Sequence, residues 1–296
     1  MKPLFIVNPV SGSGKSLTFI KDIEDTLNKY NIEYDIVLTN YINHAKEIVE
    51  QENNDRIIYA VGGDGLINEI VNGMINKNHK LGIIPAGSGN DFYKSLDDRK
   101  EIISDVGQVN DSYFINIASF GFDAEVNNEA NRLKEKNIPA NLIYQIGLLV
   151  TLIKNDGKKL LIKVNDEIKM NKYTLTTICN GRFYGGGFEI APNAKIDDGS
   201  FDVYIANYMN RLKLIKTLLK LKKGEHEKDY NVEKIETTEI KVLSKDKITA
   251  NIDGQISKID CMNIKLIPSH ITIHNDKELV NEIVTNNLRR IRRRRG

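Results

Sequence analysis

Three stretches of small residues each follow an apolar run and lead into a helix-like run. They are Asn8-Pro9-Val10-Ser11-Gly12-Ser13-Gly14-Lys15-Ser16, Val61-Gly62-Gly63-Asp64-Gly65-Leu66-Ile67-Asn68-Glu69 and Pro85-Ala86-Gly87-Ser88-Gly89-Asn90-Asp91-Phe92. A strand-to-helix turn of this composition lets backbone N–H groups approach a phosphate closely, and the helix N-terminus favours an anion. The first stretch ends in Gly14-Lys15-Ser16, as a Walker A loop does. That motif needs a glycine where Pro9 stands, so only the small-residue loop survives, and a ligand-free glycine turn fits it as well. In the second, Asp64 lies among three glycines, where a carboxylate beside a polyphosphate would bind Mg²⁺ directly or through water. A helix N-cap is the simpler role, but capping does not require flanking glycines. In the third, Ser88 offers a hydroxyl to a phosphate oxygen, and a capped turn is the alternative.

Two later segments carry carboxylates at turns. Gly185-Gly186-Gly187-Phe188 precedes Ala191-Pro192-Asn193-Ala194-Lys195-Ile196-Asp197-Asp198-Gly199-Ser200-Phe201-Asp202. Its Asp-Asp-Gly turn could give one carboxylate and adjacent carbonyls to a hard cation; local chemistry favours a hairpin turn instead. Ile252-Asp253-Gly254-Gln255 is a second hairpin signal. Cys179 and Cys261 sit far apart in apolar runs and read as buried free thiols of a reducing compartment. The five histidines show no metal-ligand spacing.

The elements that must carry these turns alternate in the first third of the chain. Strand-like runs at Leu4–Val7, Tyr34–Leu38, Arg56–Val61 and Leu81–Ile84 alternate with helical spacing at Leu17–Tyr30, Ala45–Glu52 and Leu66–Asn76. This pattern predicts a doubly wound parallel sheet with helices on both faces, whose ligands sit at the carboxyl ends of the strands. Near residue 112 the pattern changes. Tyr113–Ser119, Leu160–Val164, Lys172–Asn180, Phe201–Ala206, Glu239–Leu243, Lys247–Asp253 and Asn263–Ile267 read as strands, with helical signals only at Glu125–Lys136, Asn141–Asn155 and Arg211–Lys223. Many strands with turns between them predict an antiparallel β-sandwich. The expected organisation is an α/β domain over 1–112, a β-sandwich over 113–275, and a helical tail over 276–296 that returns to the first domain.

The chain of 296 residues fits two domains, and 41% apolar with 28% charged residues suits a soluble globular protein. A net charge of +2 argues against a general nucleic-acid binder, although Arg289, Arg290 and Arg292–Arg295 concentrate positive charge at one end. Met1–Val10 reads as a first strand and not a signal peptide. The apolar stretch Leu142–Ile153 is shorter than the roughly 20 residues a spanning helix needs, so any membrane contact would be peripheral.

Taken together and in this order, the segments resemble the diacylglycerol kinase catalytic family, which includes bacterial lipid kinases, sphingosine kinases and ceramide kinases. Asn8-Pro9-x-Ser11-Gly12, Gly62-Gly63-Asp64-Gly65 with Asn68-Glu69, and Pro85-x-Gly87-x-x-Asn90-Asp91-Phe92 look like its nucleotide-site motifs. Ala191-Pro192 through Asp197-Asp198-Gly199 looks like its second-domain motif, and the likeness spans about residues 4–275. The resemblance implies an ATP-dependent kinase acting on a lipid hydroxyl, diacylglycerol first and a sphingoid base or another lipid as alternatives. It implies ATP on Asn8, Pro9, Val10, Ser11, Gly12, Thr39, Gly62, Gly63, Asp64, Gly65, Leu66, Ile67, Asn68 and Ser88. Mg²⁺ would work near Asp64, and a structural cation would sit at Asp198 with the carbonyls of Lys195 and Ser200. Lipid would enter a cleft between the lobes, with Leu142–Ile153 as candidate wall or lid, though burial within the fold suits that stretch better. A cytoplasmic, membrane-visiting enzyme follows, with homodimers known among related kinases.

Two departures bear on mechanism. Leu66 replaces the threonine usual in the bacterial kinases, as in sphingosine kinases. Gln255 stands where they carry the Glu assigned as general base, and an amide takes up no proton at working pH. Asp64 or Asp253 would then be the base, or the γ-phosphate would accept the proton, or the protein is a weak kinase that senses lipid or nucleotide. A NAD kinase, which shares the Gly-Gly-Asp-Gly turn, is the other rival. The arginine-rich end would attract anionic lipid or remain a partnerless tail. Arg211–Lys223 would either lie on a membrane or pack one face on the sandwich and solvate the other.

Overall fold

In the computed structural model, residues 1–134, 147, 150–154 and 156–295 are described. The chain forms two compact units. One comprises 1–105, 185–187 and 268–296; the other comprises 106–184 and 188–267. The division falls seven residues before the pattern change near 112, and the chain re-enters the first unit at 268, before the helical tail begins.

The first unit is built on parallel strands. β1 (Pro3–Val7), β2 (Asp35–Leu38), β3 (Ile57–Gly62) and β4 (Lys80–Pro85) lie in the order β4-β3-β1-β2. The register runs Val7 beside Val61 and Val61 beside Ile84. Between them run α1 (Lys15–Lys29), α2 (His44–Gln51) and α3 (Asp64–Met74), and α4 (Asp91–Lys94) follows β4. Side chains alternate across a strand. Phe5, Val7, Tyr59, Val61 and Ile84 therefore share one buried cluster with Phe19, Ile23 and Leu27 of α1. Ile6, Ile58, Ala60 and Ile83 are buried on the opposite face.

The helix at the end of the chain completes the first cluster. α7 (Lys277–Arg295) adds Val280 and Ile283 to it. The Arg290 guanidinium grips Asp22 of α1 with both arms, Nε to Oδ1 at 3.0 Å and Nη2 to Oδ2 at 2.7 Å. Asn287 donates to Thr18 at 2.9 Å and to Asp22 at 2.8 Å. Part of the arginine run is thus folded structure and not a free tail; Arg289, Arg292 and Arg293 stay exposed.

The second unit is antiparallel. Its strands are β6 (Ser112–Phe114), β7 (Ile117–Gly121), β8 (Lys158–Val164), β9 (Glu167–Cys179), β12 (Phe201–Asn207), β13 (Val232–Thr237) and β14 (Glu239–Ile252). A short hairpin adds β10 (Phe183–Tyr184) and β11 (Phe188–Glu189). Two strands are shared between the units by sequence, β5 (Glu101–Val109) and β15 (Gln255–His274), and the far end of β15 pairs Thr272 and Ile273 with β4. The path β13-β12-β9-β7-β14-β15 is doubled by β8, which also pairs with both β9 and β14. One apolar core results, holding Phe114, Phe120, Ile162, Ile178, Phe201, Val203, Val242 and Ile264. α5 (Phe122–Lys134) and α6 (Arg211–Lys222) complete the unit, α6 with Leu214 packed beside Phe122, Val126 and Met209.

Several sequence expectations change in detail. The run Tyr113–Ser119 is two strands, because the N–H groups of Ile115, Asn116 and Ile117 bond a side chain and not a neighbouring strand. Glu239–Leu243 and Lys247–Asp253 belong to one strand whose register shifts between Leu243 and Ile248. The Asp197-Asp198-Gly199 turn joins no hairpin, since β12 pairs with β9 and β13. Cys179 is buried but Cys261 only half so. Most of Asn141–Asn155, the candidate wall or lid, lies outside the described residues. Among the described residues no helix is long and apolar enough to cross a membrane.

Arg290→Ala strands the buried Asp22 carboxylate. It is expected to cost about 3 kcal/mol in urea unfolding, whereas Arg292→Ala, at an exposed position, changes stability by less than about 0.5 kcal/mol.

Candidate active site

β1, β3 and β4 are parallel neighbours, so the turns at their carboxyl ends meet at one edge of the first unit. Asn8 N–H donates to Val61 O at 3.3 Å, and the N–H groups of Ala86 and Gly87 both donate to Gly62 O at 2.9 Å. Gly12 has φ +58°, and a Cβ there would stand 2.4 Å from Ala86 O. At Gly87 a Cβ would stand 2.4 Å from the Gly63 Cα. The turns therefore touch backbone to backbone. α1 and α3 begin here with Gly14 and Gly63 at their N-caps and no side-chain cap. Thr39, at the end of β2, is buried and donates its N–H to Val7 O at 2.9 Å.

The proposed nucleotide-lining residues differ in what they present. Val10, Gly65 and Ser88 are exposed, while Pro9, Ser11 and Gly12 are half-buried. Leu66 and Ile67 are core side chains whose N–H groups go to Gly63 O at 3.0 and 3.2 Å. Asn68 is buried within α3, where its carbonyl and its side-chain oxygen accept from Asn72. Lys15 is exposed, its ammonium 5.9 Å from the centre of the Phe19 ring.

Asp64 opens α3 but does not cap it. Its carboxylate accepts the N–H of Phe92 at 2.9 Å and of Asp91 at 3.1 Å, so it caps α4 across the edge. Asn90 closes the same turn on itself through both backbone groups of Gly87, at 2.9 and 3.0 Å. Asp91 accepts from Gly186 N–H at 2.8 Å and from Lys94 at 3.1 Å, which draws the 185–187 turn into this unit. Burial pushes the Asp64 carboxyl above its usual range; the two amides oppose this, and the Asp91 charge adds to it. A divalent cation would relieve that strain on the charged form, so the Asp64–Asp91 pair fits Mg²⁺.

In the second unit Asp253 and Gly254, at φ 47° and 94°, make the two-residue turn between β14 and β15. The buried Asp253 carboxylate accepts the N–H groups of Ile115 at 2.8 Å, Asn116 at 3.1 Å and Ile117 at 2.8 Å. Three amides, two on Oδ1 and one on Oδ2, stabilise its charged form, so Asp253 anchors the 115–117 segment. Gln255 is exposed beside it. Asp198 is an exposed carboxylate that accepts Ser200 N–H at 3.2 Å and the Ser200 hydroxyl at 3.3 Å. One such carboxylate with the carbonyls of Lys195 and Ser200 fits a hard cation that keeps several waters.

The structure adds Asp123, at the start of α5. Both its oxygens are buried without an aligned donor. Burial pushes its carboxyl up to about 6, against the pull of the Ser119 and Tyr184 hydroxyls and the Ala124 amide. Those hydroxyls lie 3.3 Å apart, and Asn251 donates to Tyr184. The signal was present: β7 ends at Gly121, φ +103°, and Asp123 falls in the first turn of α5, as Asp64 does after Gly63.

Comparison with known proteins matches two family models that together span nearly the whole chain. The diacylglycerol kinase catalytic domain matches residues 2–118, and the YegS C-terminal NAD kinase beta sandwich-like domain matches residues 116–275. A diacylglycerol kinase of Staphylococcus saprophyticus is 28% identical over 294 residues, 94% of this chain and 96% of its own. One of Staphylococcus aureus is 29% identical over 300 residues, 95% of each chain. A crystal structure of a candidate diacylglycerol kinase from Bacillus anthracis superposes with a TM-score of 0.76 at 22% identity, covering 94% of this chain and 96% of that one.

The contact between the turns gives a direct test. Gly87→Ala is expected to drive them apart and cost about 1–3 kcal/mol in urea unfolding. Gly65→Ala meets nothing within 4 Å and is expected to be neutral or stabilising by up to about 1 kcal/mol.

Proposed function

Since the chain belongs to the diacylglycerol kinase family, and so is a kinase transferring phosphate to an alcohol, we propose that it moves the γ-phosphoryl group of ATP to the hydroxyl of a membrane lipid, diacylglycerol first. The observation that carries this reading is the single edge where the turns after β1, β3 and β4 touch, tied together by Asp64. Backbone N–H groups of Asn8–Gly12 and Gly62–Gly65, with the uncapped starts of α1 and α3, hold the phosphates. Ser88 and Thr39 flank them, and Leu66, Ile67 and Asn68 support the turn from beneath. Asp64, with Asp91 beside it, would hold Mg²⁺, which when bound neutralises charge on the phosphate oxygens.

The proton of the lipid hydroxyl needs an acceptor, and the groups to test are Asp64, Asp253, the γ-phosphate and the buried Asp123. The Asp123 carboxyl titrates at about 6, close to working pH, where a general base combines ionisation with proton affinity. The acceptor oxygen–phosphorus bond forms as the β–γ bridging bond breaks, ADP leaves, and the hydroxyl proton passes to a base or to the γ-phosphate. We further propose a cytoplasmic protein that meets its substrate at the membrane surface, with Asp198, Lys195 and Ser200 as a structural cation site.

The test is transfer of labelled γ-phosphate to a lipid panel in mixed micelles with Mg²⁺. Label is expected in lipid and lost in Asp64→Ala, and whichever of Asp123→Asn and Asp253→Asn lowers kcat about 10²–10⁴-fold with a flattened acid limb identifies the base. No label from the native chain but label from Gln255→Glu would sink this reading in favour of a lipid or nucleotide sensor. Label in NAD alone would make the chain a NAD kinase.

A second measurement reads Asp123 without activity. A carboxyl whose folded pKa is raised from 3.8 to about 6 binds more protons in the folded state across that window. Native stability is therefore expected to be highest below about pH 4 on this account, and to fall as pH rises to about 6, by on the order of 2 kcal/mol. Asp123→Asn should remove that slope in urea titrations.

A further inference from the structure

The helix α6 presents two different faces. Leu214 and Thr217 are buried against the second unit. Leu212, Ile215 and Leu219 point away from it, with 74%, 40% and 57% of their surface exposed. At ~100° per residue these three side chains fall within about 60° of one another, forming one outward apolar row. Arg211 and Lys222 flank the row on one side, and Lys213, Lys216 and Lys223 on the other. Residues 211–223 contain six basic and no acidic side chains. Among the described residues only Lys220 of these is ion-paired, with Asp229. Two further apolar groups border the helix. Ile153, 56% exposed, accepts from the Arg211 guanidinium through its carbonyl, and Tyr230, 81% exposed, lies 5.7 Å from the Lys213 ammonium.

An apolar row with cations along both sides and an aromatic at its rim is the pattern of a helix lying in a membrane interface. We propose that the outward face of α6, with Ile153 and Tyr230, docks this protein on an anionic lipid bilayer. The row inserts among acyl chains while the flanking lysines meet phosphate headgroups. A second copy of the chain fits this face poorly. Twelve helical residues make a strip about 18 Å long and about 10 Å wide, roughly 180 Å² against the roughly 800 Å² per partner of a stable interface. Symmetric pairing would also set Lys213, Lys216, Lys222 and Lys223 against their own copies. The docking rests on the lipid-kinase reading for its purpose but not for its geometry.

The test is co-sedimentation of the full chain, without nucleotide, with phosphatidylcholine vesicles that contain or lack phosphatidylglycerol. Native protein is expected to sediment with the anionic vesicles. Lys213→Gln with Lys216→Gln should weaken that binding about 25-fold. Leu212→Ser with Leu219→Ser should weaken it about tenfold or more, while Ile42→Ser, more exposed still but in the first unit, should not change it. Unchanged sedimentation of both helix variants would overturn the proposal. So would variants that lose an oligomer by sedimentation velocity while binding vesicles as before, which would make α6 a face between copies. Phosphorylation of lipid dissolved in detergent micelles should survive in both helix variants, so failure of docking and failure of the kinase reading give different results.

Discussion

The two amide hydrogen bonds that Asp64 accepts from the start of α4 organise the carboxyl edge of the first unit. A buried carboxylate costs free energy unless donors meet it, and here the donors are the N–H groups of a four-residue helix that has no side-chain cap of its own. Each therefore satisfies the other. Because α4 is fixed this way, Asp91 is aimed at Gly186, and the 185–187 turn, 95 residues further along, joins the same edge. Removing the negative charge at position 64 would loosen the third turn and the triple-glycine turn together.

Three aspartates at turns end in three different states. Asp253 accepts three backbone donors and holds the break between β6 and β7. Asp64 has two amides and a second carboxylate near it, which leaves its charge incompletely balanced. Asp123 is buried with hydroxyls beside it that are not well aligned. Residue type alone does not separate them. The number of N–H donors facing each carboxylate does.

Much of this was legible in the chain. Period-two and period-3.6 runs marked the alternating elements of the first unit, because its strands are buried on both faces and its helices on one. The glycine turns announced the edge through composition. Less legible was β5, whose Ser104 and Asp105 are polar yet buried. Asp105 accepts Ser269 N–H at 2.8 Å, a partner 164 residues away that no local pattern reveals. The same limit applies to Asp253. Its hairpin signal was plain, but its three donors come from residues 115–117, which no local pattern reveals. Asp123 was hidden for the opposite reason, since its distinction is a shortage of partners.

The return of α7 to α1 sets an order on biogenesis. Residues 277–295 leave the ribosome after everything before them, yet Val280, Ile283 and Arg290 complete the cluster around Phe19, Ile23 and Asp22. The second unit is almost contiguous in sequence and can close while the first still lacks one wall. Until residues 277–295 are in place, the glycine turns stand on an unfinished support with apolar surface open, a state that chaperones would be expected to recognise. The edge where the glycine turns meet therefore gains its full support only once α7 has folded back onto α1.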